Sequence, residues 1–338
     1  MSLAARFHGP ADIRLHDEPV PTVAAGQSLV EMTAVGLCGS DLHWYVEGGI
    51  GDATLTRPLV GGHELAGIVR GGPRDGQRVA VDPSIPCRHC DMCASGHRNL
   101  CRNVRFAGHS SVDGGLQQFL AWPDELLYEL PGGLSDAEGA MLEPLGVAVH
   151  AFDLAHVPVG ASVAVLGCGP IGLCLLQVAR VAGASMVVAA DPLGHRRHAA
   201  AALGASVVLD PGSSDYTAQL AEATHGVGVD IAFEMAGTDE AIGAAVEVVR
   251  PGGRVVLGGI PSSDHSSFPA STARRKGLTL VMVRRMKDVY PRTIAMVRDG
   301  RVDVSSIVSD VFPLGEVQDA FAFAVARDGL KVIVTPNG

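Results

Sequence analysis

Val163-Ala164-Val165-Leu166-Gly167-Cys168-Gly169-Pro170-Ile171-Gly172 is a short apolar run that breaks into three glycines and continues as Leu173-Cys174-Leu175-Leu176-Gln177-Val178. The first four residues read as a strand buried on both faces, and Ile171, Leu175 and Val178 share one face of a following helix. G-x-G-x-x-G set between a strand and a helix is the arrangement that binds a dinucleotide. Gly167 permits the tight turn, Gly169 lets the backbone approach a pyrophosphate, and Gly172 allows the helix to pack closely on the strand. The helix N-terminus, which includes Pro170 and Ile171, presents the partial positive charge that holds phosphate. A glycine turn serving only sheet packing is the competing reading. Against it stands Asp191, which ends the second strand nineteen residues past Gly172, where a carboxylate can accept from both hydroxyls of a ribose. Its charge repels a 2′-phosphate, so NAD is expected over NADP. Arg196 and Arg197 follow closely and could instead pair with that phosphate or stack on adenine. Arg196, and Gly259 and Ile260 after a later strand, are further expected cofactor contacts.

Outward from this stretch, strand-like runs alternate with alanine-rich helical ones between Ser162 and Val283. The expected strands are Val163 to Leu166, Met186 to Ala190, Ser206 to Leu209, Asp230 to Phe233, Arg254 to Leu257, and Leu278 to Val283. Helical stretches such as Ile171 to Ala182 and Asp239 to Val249 fall between them. This alternation specifies an α/β domain with a doubly wound parallel sheet. From Ala5 to about Leu130 the chain is instead made of short apolar runs broken by glycine and proline, which reads as mostly β. Beyond Arg284 the character is mixed and ends in a strand-like Lys331 to Val334, which is expected to fold back onto the first domain.

At 338 residues the chain is too long for one ordinary core and suggests two domains. Hydrophobic residues make up 47% and charged residues 18%, which argues for a globular protein rather than a disordered one. A net charge of −10 with no basic stripe excludes nucleic acid as the main partner and favours a small molecule. No segment approaches eighteen apolar residues, so a soluble, cytoplasmic protein is expected.

Cys87, Cys90, Cys93 and Cys101 follow the spacing C-x2-C-x2-C-x7-C, which reads as a zinc site. Two disulfides so close together would constrain almost no chain. A four-thiolate zinc is closed to substrate, so its task is structural. His89 and His97 could substitute as ligands, although solvated loop histidines are the simpler reading. A catalytic zinc needs three protein ligands and one open position. Cys38, His63, Glu64 and Glu143 are candidates, but their spacing matches no local pattern, and a lone cysteine or histidine is usually core.

The segments Gly36-Leu37-Cys38-Gly39-Ser40-Asp41-Leu42-His43, Gly62-His63-Glu64, the four-cysteine loop, Glu143-Pro144-Leu145 and Gly167 to Gly172 together resemble those of zinc-containing medium-chain alcohol dehydrogenases, in that family's order. Within it, His43 to Asp52 is most similar to the sorbitol (L-iditol) and L-idonate dehydrogenase branch. The resemblance implies a GroES-like β-rich catalytic domain at 1–146 with a structural-zinc loop at 86–102. It also implies a Rossmann NAD-binding domain at 147–284 and a segment, 285–338, returning to the catalytic domain. Two zincs per chain follow from it. One sits on the four cysteines and one on Cys38 and His63, with Glu64 or Glu143 completing the sphere directly or through water. Asp41 resembles the carboxylate that orients the zinc histidine, against the plainer reading of a turn-capping aspartate. Ser40 and His43 resemble a proton relay, against the reading of Ser40 as a helix N-cap.

The implied reaction is reversible oxidation of a secondary hydroxyl to a ketone, with zinc as Lewis acid and the nicotinamide as hydride acceptor. The implied substrates are polyols or sugar acids. Another secondary-alcohol or amino-alcohol dehydrogenase, acting for instance on threonine or butanediol, is the alternative within enzymes. A non-catalytic NAD-binding relative is the alternative of another class. Polyol-branch relatives carry Phe-Arg-Tyr or Phe-Arg-Phe where this chain has Arg284-Arg285-Met286. Trp44, Arg284 and Arg285 are expected substrate contacts, and the two guanidiniums would suit a carboxylate-bearing polyol such as an aldonic acid. A homo-oligomer is expected, a tetramer before a dimer.

Overall fold

The computed structural model describes residues 1–338, which divide into two compact units. The first comprises Met1–Glu143, Lys287–Asp299 and Val304–Gly338. At its centre runs the strand Gln27–Gly36, whose Val30, Met32 and Ala34 turn inward at the period of two that a half-buried strand requires. It pairs antiparallel with Glu64–Arg70, with Phe119–Pro123 and with Lys331–Thr335. Register places Gly36 opposite both Glu64 and Ile333. The C-terminal strand is therefore the immediate neighbour of the strand that leads into Cys38.

The element that follows the central strand departs from the mostly β expectation. Gly39–Glu47 is a helix with Cys38 as its N-cap residue, and it ends at Gly48 in the left-handed conformation with φ 72°. Ser40 lies inside the first turn, so it is not the N-cap. Capping falls to Asp41, whose Oδ2 accepts the Cys38 N–H at 3.0 Å. A nine-residue helix carrying glycine, serine and aspartate in its first turn offers too little apolar periodicity to be read from sequence. The helix Asp136–Ala155 also lay outside the reading, in part because Pro144 sits inside it.

The second unit comprises Pro144–Met286 and Gly300–Asp303. Six parallel strands form one sheet in the order Val207–Leu209, Met186–Ala190, Ser162–Leu166, Val229–Glu234, Val249–Leu257, Thr279–Met282. In order along the chain this is 3-2-1-4-5-6, and the winding reverses beside Ser162–Leu166. Val163, Ala164 and Val165 are fully buried there, as a strand covered on both faces demands. In such sheets ligands bind outside the carboxyl ends of the strands at the reversal. The glycine loop occupies that place, followed by the helix Pro170–Val181.

Candidate active site and metal centres

Sheet register brings together residues that are far apart in sequence. Because Gly36 faces Glu64, the start of one strand lies beside the end of another, two residues before Cys38. Cys38, His63 and Glu64 each place a donor atom within 4.8 Å of the others. Thiolate, imidazole and carboxylate leave a tetrahedral metal one open position, which is the donor set of a catalytic rather than a structural zinc. Gly36 is required by this packing, since a Cβ on it would lie 2.0 Å from Glu64 Oε2.

Asp41 is fully buried and holds the assembly in two ways. Its Oδ2 accepts the Cys38 N–H and its Oδ1 accepts the Gly62 N–H, both at 3.0 Å, and Oδ1 lies 3.5 Å from His63 Nδ1. It therefore caps the helix and orients the histidine at once. Burial would raise the Asp41 carboxyl, but His63 and the two N–H donors outweigh it and hold it below its usual range. Burial lowers His63, yet Asp41 and Cys38 beside it carry it well above the ordinary imidazole value. Ser40 Oγ is 3.4 Å from His63 Nε2, and the His63 ring packs on Phe106 with centroids 5.3 Å apart.

Lys331 is a participant that the sequence reading passed over. Its Nζ donates to Glu64 at 2.6 and 2.7 Å and to the Leu37 carbonyl at 2.8 Å, with the lysine side chain 2% and the glutamate side chain 1% exposed. A signal existed in the composition of Lys331-Val332-Ile333-Val334. A lysine in a buried apolar strand needs a buried anion.

Glu143 lies outside the group of three donors, although it is 4% exposed and senses His63, Glu64 and Lys331 electrostatically. Burial pushes its carboxyl up to about 7, with His63 opposing and Glu64 adding to the rise. His43 is joined to Glu47 at 2.9 Å one helical turn on, and no hydrogen bond links it to Ser40. Trp44 is 2% exposed, with its ring edge-on to His109 at 5.6 Å, and it serves as core packing. Arg284 is exposed and Arg285 half-buried with φ 56°, both in the second unit, while Met286 is buried.

A second group able to hold a metal is made of Cys87, Cys90, Cys93 and Cys101, again with sulfurs within 4.8 Å of one another. All seven cysteines are free thiols, and Cys90 Sγ is 3.9 Å from Cys101 Sγ, far beyond a disulfide bond. His89 turns away to the Cys87 carbonyl at 2.7 Å and His97 contacts Lys287 at 3.2 Å, so neither histidine belongs to the thiol group.

At the glycine loop, a Cβ on Gly172 would lie 2.0 Å from the Gly167 carbonyl oxygen, so only glycine closes the turn. A Cβ on Gly169 would meet only Arg196 Nη1, at 3.8 Å, which leaves room above the helix N-terminus for a pyrophosphate. Asp191 is 3% exposed and accepts the Cys168 and Leu193 N–H groups, each at 2.8 Å. A carboxylate has about four acceptor positions, so two stay available for ribose hydroxyls. Arg197 is committed to the Asp191 and Pro192 carbonyls and to Asp210. Arg196 stands 4.0 Å from the Asp191 carboxylate. Gly259 donates to the Glu234 carbonyl at 3.1 Å, and Ile260 beside it is 46% exposed.

No helix is long and apolar enough to cross a membrane. Residues 24–132 match the alcohol dehydrogenase GroES-like domain and residues 170–299 the zinc-binding dehydrogenase domain. Sorbitol dehydrogenase of Bacillus subtilis is 33% identical over 99% of this chain and 97% of its own. The crystal structure of L-idonate 5-dehydrogenase from Escherichia coli superposes with a TM-score of 0.91 at 28% identity, covering 99% of this chain and 98% of that one. A zinc-binding dehydrogenase from Sinorhizobium meliloti, crystallised with NADP, gives 0.90 at 29% identity over 99% of both chains. These matches, over a chain whose sheet brings Cys38, His63 and Glu64 together as a group able to hold a metal, show that it belongs to the zinc-containing medium-chain alcohol dehydrogenase family.

Proposed function

We propose that this dehydrogenase oxidises a secondary hydroxyl of a polyol or sugar acid to a ketone, reversibly, with NAD and two zincs per chain. The observation that carries the catalytic assignment is the convergence of Cys38, His63 and Glu64 within 4.8 Å, with Asp41 fixing the histidine. Zinc bound there would supply the Lewis acidity that makes an alcohol acidic near neutral pH, and the nicotinamide would take the hydride. The residues of the chain do the rest. Asp41 holds the His63 ring so that Nε2 is free to ligate, and Ser40 offers a hydroxyl next to that nitrogen for proton transfer. His43, tethered by Glu47, stands one turn further along the same helix as the exit for the proton. Glu143, its carboxyl pushed up to about 7 by burial, is a neighbouring group able to exchange a proton with the site or to reach the metal through water.

NAD is favoured over NADP because Asp191 is held by two backbone donors where a 2′-phosphate would lie and Arg197 is already engaged. The second zinc would bind Cys87, Cys90, Cys93 and Cys101 and pin the loop between Pro86 and Arg102. Arg284 and Arg285, where polyol-branch relatives have Phe-Arg, favour an aldonate over an uncharged polyol. A homo-oligomer in the cytoplasm completes the reading.

Metal analysis combined with NAD-dependent turnover on a panel of polyols and aldonates tests the proposal. It expects two zincs, and in Cys38→Ser one zinc and no turnover. A single zinc together with no turnover on any alcohol would sink it, and equal efficiency on uncharged polyols would remove the aldonate preference.

A further inference from the structure

His8 and His16 stand on the antiparallel hairpin made by the strands Ser2–Gly9 and Asp12–Glu18, away from both metal-ligating groups in sequence and unused by the reaction. The ladder pairs Ala4 with His16 and Gly9 with Asp12, and an irregularity between Phe7 and Gly9 shifts the register at His8. The result is a long diagonal across one face of the hairpin, and the two imidazoles reach along it towards each other. Their Nε2 atoms are 2.9 Å apart, and the rings are nearly parallel, with centroids 5.0 Å apart and 19° between planes. Both residues are half-buried.

Two ring nitrogens can approach this closely only if at least one lone pair points at the other ring. A proton can fill that gap, and so can a metal ion. On a tetrahedral ion with bonds of about 2.0 to 2.1 Å, two imidazole nitrogens sit roughly 3.3 Å apart. Opening the pair by a few tenths of an ångström gives that separation, and a tilt of the two rings turns their lone pairs onto one ion. The charged neighbours are already matched. Arg14 is paired with Asp12 at 2.6 Å, and Arg6 with Glu18 and with Asp113 at 3.0 Å, so no unpaired cation faces the gap.

We propose that His8 and His16 form a bidentate surface site for a late first-row divalent ion such as Ni2+, Cu2+ or Zn2+, with water completing the coordination. The site clips the two strands of the N-terminal hairpin together. It binds more weakly than a site with three or four protein donors, and it competes with protons. Binding requires both imidazoles neutral. Burial, Arg14, His16 and Arg6 all lower His8, with only Asp12 opposing, which favours the neutral His8 imidazole that a metal needs.

Calorimetric titration of the zinc-loaded protein with Ni2+ at pH 7.5 tests this. One additional site is expected, weakened about tenfold or more in either His8→Gln or His16→Gln, as loss of one of two imidazoles requires. Lowering the pH to 5.5 should abolish it, and His265→Gln, an exposed histidine elsewhere, should leave it unchanged. Zinc content and turnover of the two variants report that they are folded. Absence of Ni2+ binding to the zinc-loaded protein, or equal binding by His8→Gln, His16→Gln and the unaltered chain, overturns the assignment.

Discussion

Lys331 Nζ lies 2.6 Å from Glu64 Oε2, and both side chains are withdrawn almost completely from water. The carboxylate thus faces an ammonium on one side and a thiol and an imidazole on the other. One glutamate serves two electrostatic partners, and the lysine restrains how far it can swing towards a metal. Burial alone would lower Lys331, and Glu64 and Cys38 more than offset it. Removing one member of such a pair strands a buried charge, at a typical cost of about 3–5 kcal/mol. Lys331→Met should lose that much in urea unfolding of the metal-free protein, and adding Glu64→Gln should restore a large part. Additive losses in the double variant would show that the pair is not coupled.

Asp41 bears on the candidate metal site through His63 and through the Cys38 N–H. Asp41→Asn keeps an acceptor for one backbone N–H but surrenders the charge that orients the ring. Zinc affinity at the Cys38 site is expected to fall about 10–100-fold, the usual effect of altering a partner of a ligating histidine. The four-cysteine site should keep its zinc, so competition with a chelator should resolve one weakened site and one unchanged. Equal loss from both would point to unfolding instead.

Gly36 and Glu64 share one volume. Gly36→Ala puts a methyl 2.0 Å from Glu64 Oε2, so the carboxylate must leave or the strands must part. The variant is expected to lose zinc from the Cys38 site and most of its turnover while retaining the dinucleotide fold. NAD binding by the variant, followed by fluorescence, separates this from global collapse.

Glu143 sets a pH dependence with a definite sign. Its folded-state pKa of about 7 lies above the ordinary glutamate value of 4.5, so the folded chain binds the extra proton. The stability that the neutral carboxyl contributes is full below about pH 4.5 and is lost as pH rises to about 7. Glu143→Gln should therefore stabilise the metal-free protein at pH 8 by up to about 3 kcal/mol and do little at pH 4.5. A gain of equal size at both values would contradict the assignment.

Asp191 accepts the Cys168 N–H of the glycine loop, and the proposed preference for NAD rests on its charge. Asp191→Asn removes the charge that opposes a 2′-phosphate, and the ratio of kcat/KM for NADP to that for NAD should rise about tenfold, equivalent to ~1.4 kcal/mol. The same change weakens one of the bonds to Cys168 and Leu193, so some loss with both cofactors is expected. An unchanged ratio would place the discrimination elsewhere.

The sequence by itself determined what is local. The apolar run into Gly167, Gly169 and Gly172, the acid at Asp191, the alternation of strands and helices, and the four-cysteine spacing are patterns set by backbone sterics and donor chemistry over short stretches. Cys38, His63 and Glu64 were legible as a set only through family resemblance, because nothing local connects residues 25 apart. Only the tertiary structure decided what joins them. Antiparallel register sets Gly36 against Glu64, and the C-terminal strand against Gly36 brings Lys331 to that carboxylate from the far end of the chain. The short helix after Cys38 was hidden for a related reason. It is held by an aspartate whose two oxygens bond to residues on different elements, and such bonds leave no period in the sequence.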